Sequence, residues 1–168
     1  MGATGMQSSF FEDMVAEVLA LTGEDSSVKV RRVLRNSCML SSDVSAAYDP
    51  LYPEVFEKKN TAYFGRGLVL NKYTGSRGKN GTSDANAEYV AKVRNVFDNN
   101  HVAFQTAELG KVDQGGGGTI AYVMANKAMS VIDSGVAVLS MHAPYEVTSK
   151  SDIYEVYRGY KAFLKDMK

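Results

Sequence analysis

Residues Val131-Ile-Asp-Ser-Gly-Val-Ala-Val-Leu-Ser-Met-His142 form a nearly continuous apolar run that ends in one of only two histidines in the chain. The run is too short for a membrane span and reads as one or two buried strands broken at Gly135. A strand buried on both faces needs helices above and below it. An apolar run that delivers an imidazole at its end is also how an α/β protein brings a ligand to the edge of a buried sheet. Cys38-Met-Leu-Ser-Ser-Asp43 does the same with a carboxylate. An aspartate and a histidine together are half of a metal site.

Working outward, helix and strand signals alternate. Ser9-Phe-Phe-Glu12 reads as a capping box that opens a helix, with Phe10, Phe11, Met14, Val15, Val18 and Leu19 at helical spacing and Gly23 closing it. A short basic helix is predicted over Ser27 to Arg35, then a strand from Cys38 to Ser42. Pro50 and Pro53 force an extended loop. Gly67 to Asn71 is the next strand, and the polar, glycine-rich Thr74 to Thr82 reads as a loop. A helix capped by Ser83 or Asp84 turns Asn86, Tyr89, Val90, Val93, Val96 and Phe97 inward. His101 to Thr106 is a strand and Thr119 to Lys127 a helix. The last helix, Ser151 to Lys165, is expected to bury Ile153, Val156, Tyr157, Tyr160 and Leu164. This alternation predicts an α/β fold, helices on both faces of a mainly parallel sheet.

The 168 residues leave room for one domain, 1–168, with a real core. Nineteen Lys plus Arg balance nineteen Asp plus Glu, which removes the electrostatic case for nucleic acid or an anionic membrane as partner. The single cysteine, Cys38, excludes an intrachain disulfide and fits a reducing, cytoplasmic setting; its apolar neighbours read as inert core. The N-terminus has no secretory pattern.

Each candidate site residue has two readings. His142 is either a structural hydrogen-bonder or a ligand. Asp43 either caps a turn or contributes a carboxylate, and the two together suit zinc. His101 is taken as structural, because strand direction assigns it to the opposite edge. Gln114-Gly-Gly-Gly-Gly-Thr119 lacks the patterns of a P-loop or dinucleotide site but suits close approach of backbone to a ligand or strand. Asp113 orients a substrate amine or caps that loop. Lys72 and Arg77 flank a polar loop, where they meet a substrate or only solvent. Glu146 is either a hydrogen-bond partner that fixes the His142 imidazole or a surface charge.

Read together, these segments resemble the aspartyl-aminopeptidase family of zinc exopeptidases, and specifically the C-terminal half of its catalytic domain. The resemblance rests on Arg35-Asn-Ser-Cys-Met-Leu-Ser-Ser-Asp-Val-Ser-Ala-Ala-Tyr-Asp-Pro50, Leu70-Asn-Lys-Tyr-Thr-Gly-Ser76 and Ser83-Asp-Ala-Asn-Ala-Glu88. It continues through Gly110-Lys-Val-Asp-Gln-Gly-Gly-Gly-Gly-Thr-Ile120 and the run ending at His142. It implies a three-layer αβα sandwich, present here as its C-terminal half. It also implies a two-zinc centre, exchangeable for cobalt or manganese, that removes the N-terminal residue of peptides within a large homo-oligomer. Asp43 and His142 match metal ligands of the family. Lys72, Asp113, Gly116 and Gly117 match substrate-side positions. The family's general-base glutamate pair, first histidine ligand and bridging aspartate fall before residue 1. The chain is therefore expected to carry no catalytic residue of its own and to be inactive alone. The alternative is a non-catalytic folding or oligomer-assembly module.

Overall fold

Val131 and Ile132 are neighbours in sequence, yet their side chains enter different cores, and this alternation organises the molecule. The computed structural model describes residues 2–76, 80–111 and 114–167. It begins with helices α1 (Phe10–Leu21) and α2 (Ser27–Asn36) and strands β1 (Cys38–Ser42) and β2 (Ser45–Ala46). Strand β3 (Leu68–Asn71) leads into a hairpin of β4 (Tyr73–Ser76) and β5 (Asn80–Asp84), followed by helix α3 (Ala87–Asn99) and strand β6 (Phe104–Thr106). The short helix α4 (Ala121–Ala125) precedes strands β7 (Ser130–Gly135), β8 (Ala137–Leu139) and β9 (Val147–Thr148), and helix α5 (Lys150–Asp166) ends the fold.

Four strands form the main sheet in the order β1-β7-β3-β6. β1 pairs parallel with β7, and β3 with β6, whereas β7 and β3 run antiparallel. The sheet is mixed and mainly parallel, as predicted. β8 carries the chain onward from β7 into a small sheet with β2 and β9.

On one face Ile132, Leu68 and Leu70 pack with Tyr89, Val93 and Phe97 of α3 and Ala162 of α5. On the other, Val131 packs with Leu34 of α2, Ala121 and Met124 of α4, and half-buried Phe11 and Val15 of α1. Helices therefore cover both faces. Gly159 explains how α5 lies so close: a Cβ there would stand 2.7 Å from Leu68 Cδ1. A glycine in mid-helix costs about 1 kcal/mol, which the contact with β3 offsets. The start of α5 is also tied down by Asp152, which is 1% exposed. Its two oxygens accept the backbone N–H groups of Gly65 and Gly67, each at 2.8 Å.

Several local expectations are corrected. Ser9 makes no side-chain cap, so the capping box does not form. The Thr74 to Thr82 loop is instead largely the β4–β5 hairpin. Asn86 is not an inward residue but the N-cap of α3, accepting from the Tyr89 N–H at 2.7 Å. Ile153, Tyr157 and Leu164 of α5 are exposed, and Asp152, Gly159 and Ala162 form its buried stripe. Cys38 is exposed, because it opens β1 before the strand enters the core.

Candidate functional site

β1 delivers Asp43 to its carboxyl end, beside the end of β7. The Asp43 N–H donates to the Ser134 carbonyl at 3.1 Å, and its own Oδ1 accepts from the Val44 N–H at 2.8 Å. Its carbonyl oxygen lies so near Gly135 that a Cβ there would stand 1.5 Å away. No side chain fits at Gly135, and the backbone of Asp43 is clamped against β7 as a result. The carboxylate itself is exposed. It lines a cleft of about 620 Å³ together with Gly118, Thr119, Gly81, Gly2 and Met6.

His142 lies three residues past β8, on a turn in which Ser140 (φ 58°) and His142 (φ 67°) both adopt left-handed backbone. That conformation is uncommon for residues with side chains and persists only where neighbours hold it. Here the Glu146 carboxylate accepts the His142 backbone N–H at 2.6 Å. Glu146 thus orients the main chain of His142, which is neither of its two readings: not a bond to the ring, and not a charge without a partner. The imidazole is exposed. One carboxylate and one imidazole are donors that zinc takes, but a catalytic zinc site needs about three protein ligands. Among the described residues, no group of three or more His, Cys, Asp or Glu could hold a metal ion.

The other predicted residues fall in different places. Asp113 and Arg77 lie outside the described residues. Lys72 is half-exposed and pairs with Asp84 across the base of the hairpin. It lines a second cleft, with Arg94, Thr106 and Glu108, separate from that of Asp43. Gly116 (φ 99°) presses on the β4 backbone, where a Cβ would meet Gly75 O at 2.3 Å, and a Cβ at Gly117 would stand 2.4 Å from Leu109 Cδ2. The close approach these glycines serve is to their own chain. Gly118 and Thr119 are the members of the tract that reach the Asp43 cleft. His101 (φ 52°) closes the C-terminus of α3, its N–H donating to Asp98 O at 3.1 Å, so a structural role fits. The strand-direction reason for it does not hold, since β6 runs with β3 and against β7.

Sequence reasoning missed the polar row beneath this edge. Ser41, Asp133 and Asn71 stand in register on β1, β7 and β3, at 1%, 2% and 6% exposure. Asp133 Oδ2 accepts from Thr74 Oγ1 of the hairpin at 2.9 Å. Burial pushes the Asp133 carboxyl above the usual carboxylate range; the hydroxyls of Ser41, Thr119 and Thr74 pull it back down, and the charge of Asp43 adds to the rise. Asp133 Oδ1 and Ser41 Oγ complete no hydrogen bond of normal geometry. The signal was present in the sequence: a single acid inside an otherwise apolar run, two residues from Val131 and therefore on the same face.

Residues 1–164 match the family described as aminopeptidase I zinc metalloprotease (M18). The chain is 61% identical over 166 residues to a probable M18 family aminopeptidase 1 of Clostridium acetobutylicum, covering 99% of this chain and 36% of that protein. It is 44% identical to the corresponding protein of Thermotoga maritima, over 99% of this chain and 37% of that one. The crystal structure of the Clostridium acetobutylicum aminopeptidase I superposes with a TM-score of 0.86 at 62% identity, over 98% of this chain and 35% of that one. The Thermotoga maritima M18 structure gives 0.93 at 44% identity, over 98% and 37%. A dodecamer from Saccharomyces cerevisiae shares the fold at a TM-score of 0.73 and 22% identity, over 99% and 35%. The chain thus spans little more than a third of these relatives.

Proposed function

The chain belongs to the M18 family of aminopeptidase I zinc metalloproteases, and on that premise we propose that it forms one wall of a two-zinc centre that releases the N-terminal residue of peptides. The placement of Asp43 carries this reading. It is a solvent-facing carboxylate whose backbone is clamped to β7, on the wall of a cleft that the end of the glycine tract also lines. Asp43 and His142 would hold zinc together with ligands from the rest of the protein. Bound zinc supplies Lewis-acid polarisation of the scissile carbonyl and a water activated at neutral pH. The chain's own residues orient. Ser134 and Gly135 fix the approach of Asp43, and Glu146 fixes the main chain of His142. Lys72, Asp113, Gly116 and Gly117 are proposed to act on the substrate side. The single cysteine suits a cytoplasmic enzyme, and a homo-oligomer is proposed for the whole protein.

The described residues offer Asp43 no glutamate pair and no third ligand in a common cluster. The chain alone is therefore expected to hydrolyse no aminoacyl anilide with zinc, cobalt or manganese. Turnover abolished by His142→Ala would overturn that. Zinc uptake measured by equilibrium dialysis should be weak and fall in both Asp43→Ala and His142→Ala. Uptake unchanged in both would overturn the ligand assignment.

A further inference from the structure

Of the two buried acids among the described residues, Asp152 ties α5 to the loop before β3, and Asp133 is the one still without a role. It sits at the meeting point of three segments. Through β7 it is part of the strand pair that ends at Asp43. Through Thr74 Oγ1, at 2.9 Å, it reaches the β4–β5 hairpin. The third segment, the glycine tract, reaches it through that hairpin. Thr119, at the end of that tract, accepts the Ala121 N–H on its Oγ1 at 3.1 Å, which ties the start of α4 to the tract. Gly116, pressed against Gly75 of β4, joins hairpin and tract to one another.

We propose that Asp133 is a positioning residue: its carboxyl fastens the hairpin, through Thr74, to the strand pair that carries Asp43, and the hairpin in turn holds the glycine tract, through Gly75 against Gly116. A carboxyl fits the task because one group can accept from several hydroxyls at once. A buried polar residue at this height of the sheet costs stability unless those partners are held, so the partners are drawn in. In the aminopeptidase reading, on which the functional weight of this placement rests, Asp133 sets how far Gly118 and Thr119 stand from Asp43 and hence the width of the substrate cleft.

The test is amide hydrogen exchange on the whole chain, for Asp133→Ala, Asp133→Asn, Thr74→Val and Thr119→Val against the parent. Ala85, whose N–H donates to Lys72 O at 2.8 Å, reports on the base of the hairpin. Ala121 reports on the tract. Leu68, whose N–H donates to Ala103 O at 3.0 Å, is the core control. Asp133→Ala should speed exchange at Ala85 and Ala121 by about tenfold while Leu68 changes far less. Thr74→Val should reproduce the acceleration at Ala85, whereas Thr119→Val, which removes the acceptor of the Ala121 N–H itself, should leave Ala85 unchanged. Asp133→Asn should restore protection at Ala85, because its amide oxygen still accepts from Thr74. Equal acceleration at all three amides in Asp133→Ala, or none at Ala85 and Ala121, would overturn the proposal. Should Asp133→Ala not fold, Thr74→Val decides, and unchanged exchange at Ala85 sinks the proposal. Absence of zinc binding or peptidase activity bears only on the functional reading and leaves this result standing.

Discussion

Gly135 shows how one residue holds the site edge in place. Replacing it with alanine puts a methyl where the Asp43 carbonyl already lies, 1.5 Å from the ideal Cβ position. Backbone must move, because no flexible side chain can yield. Gly135→Ala is expected to cost about 3 kcal/mol, the upper range for overpacking, read as a fall in the urea midpoint at unchanged slope. Asp133 gives a prediction of a different kind. Its folded carboxyl titrates above the unfolded range because of burial. A raised acid contributes stability that is fully present below its unfolded value and lost as pH rises through the folded one. Asp133→Asn removes that loss. The variant should gain in thermal midpoint relative to the parent as pH climbs from the acid range to neutrality, and the gap should close again in acid. A pH-independent difference would contradict the assignment.

At the scale of elements, Asp152 joins α5 to the loop before β3 by two charge-assisted bonds to Gly65 and Gly67. Asp152→Ala should cost about 3 kcal/mol in chemical denaturation, and Asp152→Asn less, since one acceptor survives. Nothing local in Asp152-Ile-Tyr announces this, because both partners are more than eighty residues away. The same limit decided what the chain's pattern disclosed. Strands from runs such as Leu68–Asn71 and Ser130–Gly135 were legible because both faces are covered and the apolar signal is continuous. The β4–β5 hairpin was not, because its polar, glycine-rich residues pair by backbone and not by apolar burial. In α5 the phase was right in part: Val156 and Tyr160 pack against the core, but Asp152, Gly159 and Ala162 take the innermost positions and Ile153, Tyr157 and Leu164 are left outside. Asp43 and His142 could be named from their place after strands. Asp133 stood in the run that ends at His142 as a lone acid, but what it holds was not legible, since its partner Thr74 comes from a segment that only the fold brings beside it.

For the whole molecule, apolar surface left uncovered is the leading feature. Phe10, Met14, Val18 and Leu21 form an exposed stripe along α1, and Ile153, Tyr157 and Leu164 another on α5. Stripes of this kind mark contact surfaces. The chain alone should elute from size exclusion above its monomer mass, with the excess reduced by Val18→Glu with Leu21→Glu. Light scattering that finds a monodisperse monomer for the parent would show that these faces do not associate. The strand order β1-β7-β3-β6 has a consequence in time as well as in space. The inner strand β7 is made after both of its neighbours, β1 and β3, and β1 and β7 pair residues as distant as Cys38 and Ser130. On a ribosome working at about 5–20 residues per second, β3 would wait on the order of several seconds for its partner β7. Until then the edges of β1 and β3 that β7 will occupy stand open. The nascent chain, more than the finished fold, is where this topology leaves strand edges open to wrong pairing.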